Sequence, residues 1–150
     1  MEKGINSCIK ERFHLPQVDV MTYSPLALAY IGDGIYDLII RTIVVGQGNT
    51  KASKLHLATS RLVKAHAQSE MIRLLEPELT EMERDIYRRG RNAKSPTMAK
   101  NATMTDYRRA TGFEALMGYL YLTDQMDRIY TLVELALTGS EKTGQQGMCE

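Results

Sequence analysis

The 150-residue chain contains no tryptophan, two phenylalanines, four prolines and two cysteines. So few prolines leave long stretches free to stay helical. Cys8 and Cys149 stand near opposite ends and form neither a CxxC pair nor a metal-ligand pattern. This argues against a disulfide scaffold or a zinc ribbon and fits free thiols in a reducing cytoplasm. The three histidines, His14, His56 and His66, are nowhere at the i, i+4 spacing of a helical zinc pair, so surface or capping roles are expected of them. The N-terminus lacks a basic-then-apolar leader. No stretch alternates apolar and polar residues for long, which argues against strands, and helical spacing dominates. An all-α domain follows, of a size that can bury a real core.

Neither sign of charge prevails, the formal net charge being +1, but the charges are segregated. Between Arg84 and Arg109 the net is +6, so the remainder carries −5. The basic set is Arg84, Arg88, Arg89, Arg91, Lys94, Lys100, Arg108 and Arg109, against Asp85 and Asp106. Such segregation suits a polyanion-binding surface, though a solvated face would also show a charge run.

One long apolar run is present, from Tyr23 to Val45 (YSPLALAYIGDGIYDLIIRTIVV). Ser24 followed by Pro25 is a helix start, and Gly46-Gln47-Gly48-Asn49 is a stop. The run could span a bilayer by length, which takes ~20 residues. Asp33, Asp37 and Arg41 inside it argue instead for a buried central helix of a cytoplasmic protein with no membrane role. These three lie four apart on one face, and a buried carboxylate there needs a cationic partner or a metal.

The other elements follow by pattern. Residues 1–22 form an N-terminal segment with a short helix over Ile5–Phe13 and no assigned chemistry. The main domain covers 23–138, and 139–150 read as a flexible tail. A helix is expected from Lys51 to about Gln68, continuing to Leu75, with Lys54, Arg61 and Lys64 off its apolar face. Thr80 and Glu83 form a capping box for a helix to about Arg89, with Gly90 as its stop. Residues 90–105 are the longest irregular stretch. A helix from Thr105 or Asp106 to Leu122 follows, and a last one, capped by Thr123, from Asp124 to about Leu137.

Asp33 and Glu114 are thus acids in the two most apolar helices, with Gly32 and Gly34 beside the first and Gly118 one turn from the second. Mid-helix glycine costs about 1 kcal/mol relative to alanine, and close helix–helix approach could offset that. If the helices cross at these glycines, Asp33 and Glu114 face each other. Two such carboxylates repel unless one is protonated or a cation lies between them, and oxygen donors favour Mg²⁺ or Mn²⁺. The competing reading pairs Asp33 with Arg41 or another arginine, and Glu114 with Arg108, Arg109 or a backbone donor. The basic loop leads into the Glu114 helix, so a phosphate backbone held by it would pass the two acids. That arrangement suits metal-dependent phosphodiester hydrolysis.

YIGDGIYDLIIR resembles the signature helix of ribonuclease III catalytic domains, RRGRNAKS their basic loop, and FEALMGYLYL their second acidic helix. The three occur in the family's order over about residues 23–124. The short remainder after Glu114 makes the chain most similar to the Mini-ribonuclease III branch, which lacks a double-stranded-RNA-binding domain. The resemblance implies a ribonuclease III-like all-α fold, a homodimer, Mg²⁺, and hydrolysis of double-stranded RNA, in this branch precursor 23S ribosomal RNA, with no DNA substrate. It implies catalytic and metal-binding roles for Asp33 and Glu114. Two acidic positions of the long enzymes are occupied here by Leu26 and Thr111. Asp37 could tune the site or merely pair with Arg41. Arg88, Arg89, Arg91, Lys94 and Lys100 are expected to contact phosphates, with Asn92 and Asn101 as 2′-OH partners, because A-form duplexes are read by shape and backbone. The alternative is a catalytically inactive RNA-binding or dimerisation module on the same fold. A helical nucleotide hydrolase fits the carboxylates but not the basic loop.

Overall fold

The structure, a computed structural model, describes residues 3–94 and 103–148, with side chains to residue 140 in the last helix. Among these residues there are helices and no strands. The α-helices are α1 (Ile5–Arg12), α2 (Pro25–Val45), α3 (Ala52–Val63), α4 (Ala65–Leu75), α5 (Glu81–Asn92), α6 (Met104–Leu122) and α7 (Met126–Met148). Short 3₁₀ turns cover Val20–Thr22 and Glu76–Glu78. No helix among the described residues is long and apolar enough to cross a membrane.

The centre is α6, packed most extensively on α2 and then on α5 and α4. Phe113, Leu116, Met117 and Leu120 of α6 are fully buried against Tyr36 and Ile40 of α2, Met71, Ile72 and Leu75 of α4, and Ile129 and Leu132 of α7. The Tyr36 and Phe113 rings meet edge to face at 5.1 Å, a favoured aromatic geometry.

Crossing of α2 and α6 is set by two glycines. A Cβ on Gly32 would lie 1.7 Å from the Glu114 carbonyl oxygen, and one on Gly118 would lie 1.9 Å from that of Leu28. Backbone meets backbone at both points, so the sequence reading of close approach holds for Gly32 and Gly118. It does not hold for Gly34, where a Cβ would meet nothing within 4 Å. A second contact of this kind joins α5 to α6. Gly90 is buried inside α5 rather than ending it, and a Cβ there would stand 2.7 Å from Ala115 Cβ and 2.9 Å from Gly112 Cα.

Expected and observed helix ends differ instructively. Ser24 Oγ accepts from the Ala27 N–H and starts α2 as anticipated. The Thr80–Glu83 capping box is complete, and Glu83 is also gripped by Arg128 of α7 at 2.8 and 2.9 Å. Burial favours the neutral Glu83 acid, but Arg128 and the Thr80 N–H outweigh it and hold the carboxyl below its ordinary range. The helix expected over Lys51–Leu75 breaks at Lys64, whose backbone is extended (ψ 155°). Two side chains take carbonyls beside the break: Tyr36 Oη donates to Leu62 O at 2.6 Å and Gln68 Nε2 to Val63 O at 2.8 Å. Thr123 is the C-cap of α6, donating to Tyr119 O, and not the start of α7. Asp124 follows with φ 58°, and α7 runs to Met148, beyond the expected Leu137. Asn6 of α1, read as carrying no role, is buried and donates to Leu122 O and Asp124 Oδ1, so it clamps this corner. α2 is not buried all round either: Tyr30, Leu38 and Val45 are 83%, 50% and 59% exposed.

The two central glycines therefore differ in kind from Gly34. Gly118→Ala and Gly32→Ala should each destabilise the protein by at least about 3 kcal/mol, since rigid backbone has to move. Gly34→Ala should stabilise it by up to about 1 kcal/mol through helix propensity. Urea denaturation of the three variants measures both signs.

Candidate active site

Crossing of α2 over α6, with the α3–α4 break alongside, leaves a pocket of about 660 Å³. Asp33 of α2 and Glu114 of α6 both line it. So do Leu26 and Thr111, the two positions where long ribonuclease III domains carry further acids. Thr111 is buried and its hydroxyl donates to Tyr107 O within the helix at 3.0 Å. One wall of the pocket thus presents the two retained acids, and the two replaced positions are an alkyl chain and a hydroxyl already engaged.

The carboxylates differ in setting. Asp33 is exposed, which corrects the expectation of a buried acid: it lies on the α2 face that turns from the core. Glu114 is half-buried. Burial pushes the Glu114 carboxyl up to about 7, and the charge of Asp33 adds to this. The Gln68 side chain acts against the rise. Partial burial also raises Asp33, with Asp37 contributing. Burial and the nearby Glu114 charge raise the Tyr36 hydroxyl as well. For Glu114 the pattern is that of a largely desolvated acid sharing its space with a second carboxylate.

Among the described residues neither acid is paired with an arginine. Arg41 Nε pairs instead with Asp37 Oδ2 at 2.7 Å, and both are partly exposed. Asp37 accordingly does two things: it holds Arg41 and raises its neighbour Asp33. Arg108 and Arg109 make no ion pair with Glu114. Among the described residues no group of three or more His, Cys, Asp or Glu is placed to hold a metal ion. The carboxylate donors that line the pocket are Asp33 and Glu114, a set of two oxygen ligands were a cation to bind there. It fits Mg²⁺, which keeps several waters and takes one or two carboxylates.

The basic residues are spread differently from the expectation. Arg88 and Asn92 lie exposed on α5 and its end, Arg89 and Arg91 are half-buried, and Lys94 is exposed just beyond. Arg91 stacks over the Tyr87 ring at 5.7 Å and donates to Asn92 Oδ1 at 3.4 Å. None of these lines the carboxylate pocket. Lys100 and Asn101 lie outside the described residues. Among the described residues, the basic residue that does line the pocket is Lys64, with Gln68 one turn further on. Sequence reading placed Lys64 off the apolar face of a continuous helix. The signal that could have singled it out, a break between Val63 and Ala65, is not written in glycine or proline. His66 is exposed and meets the Asp106 carboxylate at 3.0 Å, in keeping with the surface alternative expected of it rather than with capping.

Comparison with known proteins agrees with this geometry. The family model for the ribonuclease III domain matches residues 26–125. A Mini-ribonuclease 3 of Thermoanaerobacter is 44% identical over 137 residues, covering 91% of this chain and 96% of that one. One from Enterococcus faecalis is 45% identical over 130 residues, with 85% and 98% covered. A crystal structure of a Fusobacterium nucleatum protein aligns with a TM-score of 0.74 at 29% identity, over 83% of this chain and 99% of that one. The chain belongs to the ribonuclease III family, in its Mini-ribonuclease 3 branch.

Proposed function

We propose that this ribonuclease III family member is a Mg²⁺-dependent endonuclease of double-stranded RNA, acting in the cytoplasm as a homodimer on precursor 23S ribosomal RNA. The observation that carries the nuclease reading is the convergence of Asp33 and Glu114, from two helices locked by Gly32 and Gly118, on one pocket. A module that only bound RNA would not need two acids held against their mutual repulsion. The duplex and ribosomal substrate rest on the family relationship.

Asp33 and Glu114 would hold the Mg²⁺. When bound, the ion lowers the pKa of a water and takes up charge on the phosphate oxygens. The chain itself supplies the positioning. Gln68 is anchored on Val63 O and stands by the Glu114 carboxyl. Asp37, held by Arg41, keeps negative charge beside Asp33. Arg88, Arg89, Arg91 and Lys94 stand away from the pocket and would bind phosphates flanking the cut, giving affinity without base readout.

Support for a dimer comes from the outer face of α2. Tyr30, Leu38 and Val45 are exposed there with the Asp37–Arg41 pair among them. Large apolar side chains gathered on one helix face of a soluble domain mark a contact surface, and a two-fold dimer would bring two pockets to the two strands of a duplex.

Three outcomes are expected. Asp33→Asn and Glu114→Gln should each abolish Mg²⁺-dependent cleavage of duplex RNA while leaving the circular dichroism spectrum unchanged; a wild type no more active than Asp33→Asn would refute the nuclease reading. In chelator, stability should fall as pH rises from about 4.5 to about 7, because the folded Glu114 keeps a proton that the unfolded chain releases earlier. In Glu114→Gln that part of the slope should be missing from thermal melts across the same range. Tyr30→Asp should convert the dimer to monomer, read by light scattering on a sizing column.

A further inference from the structure

The break between α3 and α4 is a built feature. Continuing one helix through Lys64 would have satisfied its carbonyls with no outside help. The chain instead turns extended at that one residue, and two side chains, Tyr36 of α2 and Gln68 in the first turn of α4, serve the adjacent carbonyls. Tyr36, which serves Leu62 O, is fully buried and packs on Phe113. Gln68, which serves Val63 O, is 1% exposed and abuts Glu114. Both props of the break are therefore neighbours of the acidic pocket, and the residue the break places in the lining of that pocket is Lys64.

Among the described residues, Lys64 is the one basic residue in the lining. It is exposed, and among the described residues its ammonium makes no ion pair. It does not act on the acids either: neither Asp33 nor Glu114 is lowered by it. A free cation lining a pocket with two acids, yet paired with neither, is placed for a third, anionic group. Charge counting says which. Two carboxylates and a divalent cation cancel, so a phosphodiester entering between them brings an uncompensated negative charge, and that charge grows as water attacks. The arginines of α5 do not line the pocket and cannot supply the balance there.

We propose that Lys64 is a further catalytic residue of this enzyme: its ammonium contacts a non-bridging oxygen of the scissile phosphate and stabilises the charge that builds on it. This rests on the nuclease reading above. The role is distinct from that of the α5 arginines, which hold flanking phosphates. A contact made to the reacting group strengthens in the transition state and so appears in kcat, whereas a flanking contact appears in affinity alone.

The test uses the full-length chain and a synthetic RNA duplex, with Lys64→Ala, Lys64→Arg and Asp33→Asn. Lys64 is exposed, so thermal melts of its variants should match the wild type. Single-turnover cleavage in Mg²⁺ should slow by about 100-fold in Lys64→Ala, as when one preorganised donor to a reacting oxyanion is removed. Lys64→Arg should recover much of the rate. Binding of the duplex is then measured by fluorescence anisotropy over a salt series, with Asp33→Asn as the uncleaving background. Adding Lys64→Ala should reduce the slope of log K against log salt by about one. A wild-type cleavage rate in Lys64→Ala would overturn the proposal. So would a loss confined to affinity with the single-turnover rate intact, which would put Lys64 on a flanking phosphate. If the wild type itself fails to cleave, the nuclease reading fails first; if it cleaves and only Lys64→Ala behaves as wild type, the failure belongs to Lys64 alone.

Discussion

Gly32 and Gly118 lie where α2 and α6 touch backbone to backbone, and the rest of the molecule depends on that crossing. A methyl group on either would sit under 2 Å from a carbonyl oxygen of the other helix. Each glycine weakens its own helix, and the tight crossing returns this as dense packing along α6, where Phe113, Leu116, Met117 and Leu120 are wholly buried. The same crossing fixes the chemistry. Asp33 follows Gly32 directly, and Glu114 supplies the carbonyl that Gly32 meets, so the contact that builds the core also sets the two acids beside one pocket.

Burial raises both carboxyls: Glu114 reaches about 7 with the charge of Asp33 adding to it, and Asp33 rises with Asp37 contributing. The protein tolerates this because Asp33 is exposed and the cost is shared with solvent. Elsewhere it treats a buried acid quite differently. Glu83 is just as necessary to its helix cap, but Arg128 and the Thr80 N–H satisfy it, and its carboxyl is held low. One acid is paired and structural. The other is paired with no cationic side chain among the described residues, as expected of a group that receives its counter-charge from a ligand.

Much of this was legible in the residues. The apolar run from Pro25 to Val45, its Ser24 cap, the Thr80–Glu83 box and the two acids in the two most apolar helices could all be read, because caps and periodicity are local signals. Reading failed where a residue answers to a distant partner. Gly90 looked like a helix stop and is instead a contact point for Ala115 and Gly112. Gly34 looked like part of the helix crossing and faces open space. The hinge at Lys64 has no glycine or proline, since the interactions that permit it come from Tyr36, twenty-six residues before the carbonyl it serves, and from Gln68.

By itself, then, the sequence determined the helical class, the family and the identity of the two acids, since these depend on residue type and on spacing within one segment. Only the tertiary structure decided which of the described basic residues lines the pocket of those acids. The basic segment between Arg84 and Lys94 dominates the charge pattern, yet it lies off the pocket, while a lysine at a helix break lies in its lining. The reason is geometric. Charge along a chain says how strongly a surface attracts a phosphate backbone, but a contact at the reacting atoms is set by where three helices meet, and that depends on two glycines and two carbonyl-serving side chains far from Lys64 in sequence or hidden from solvent.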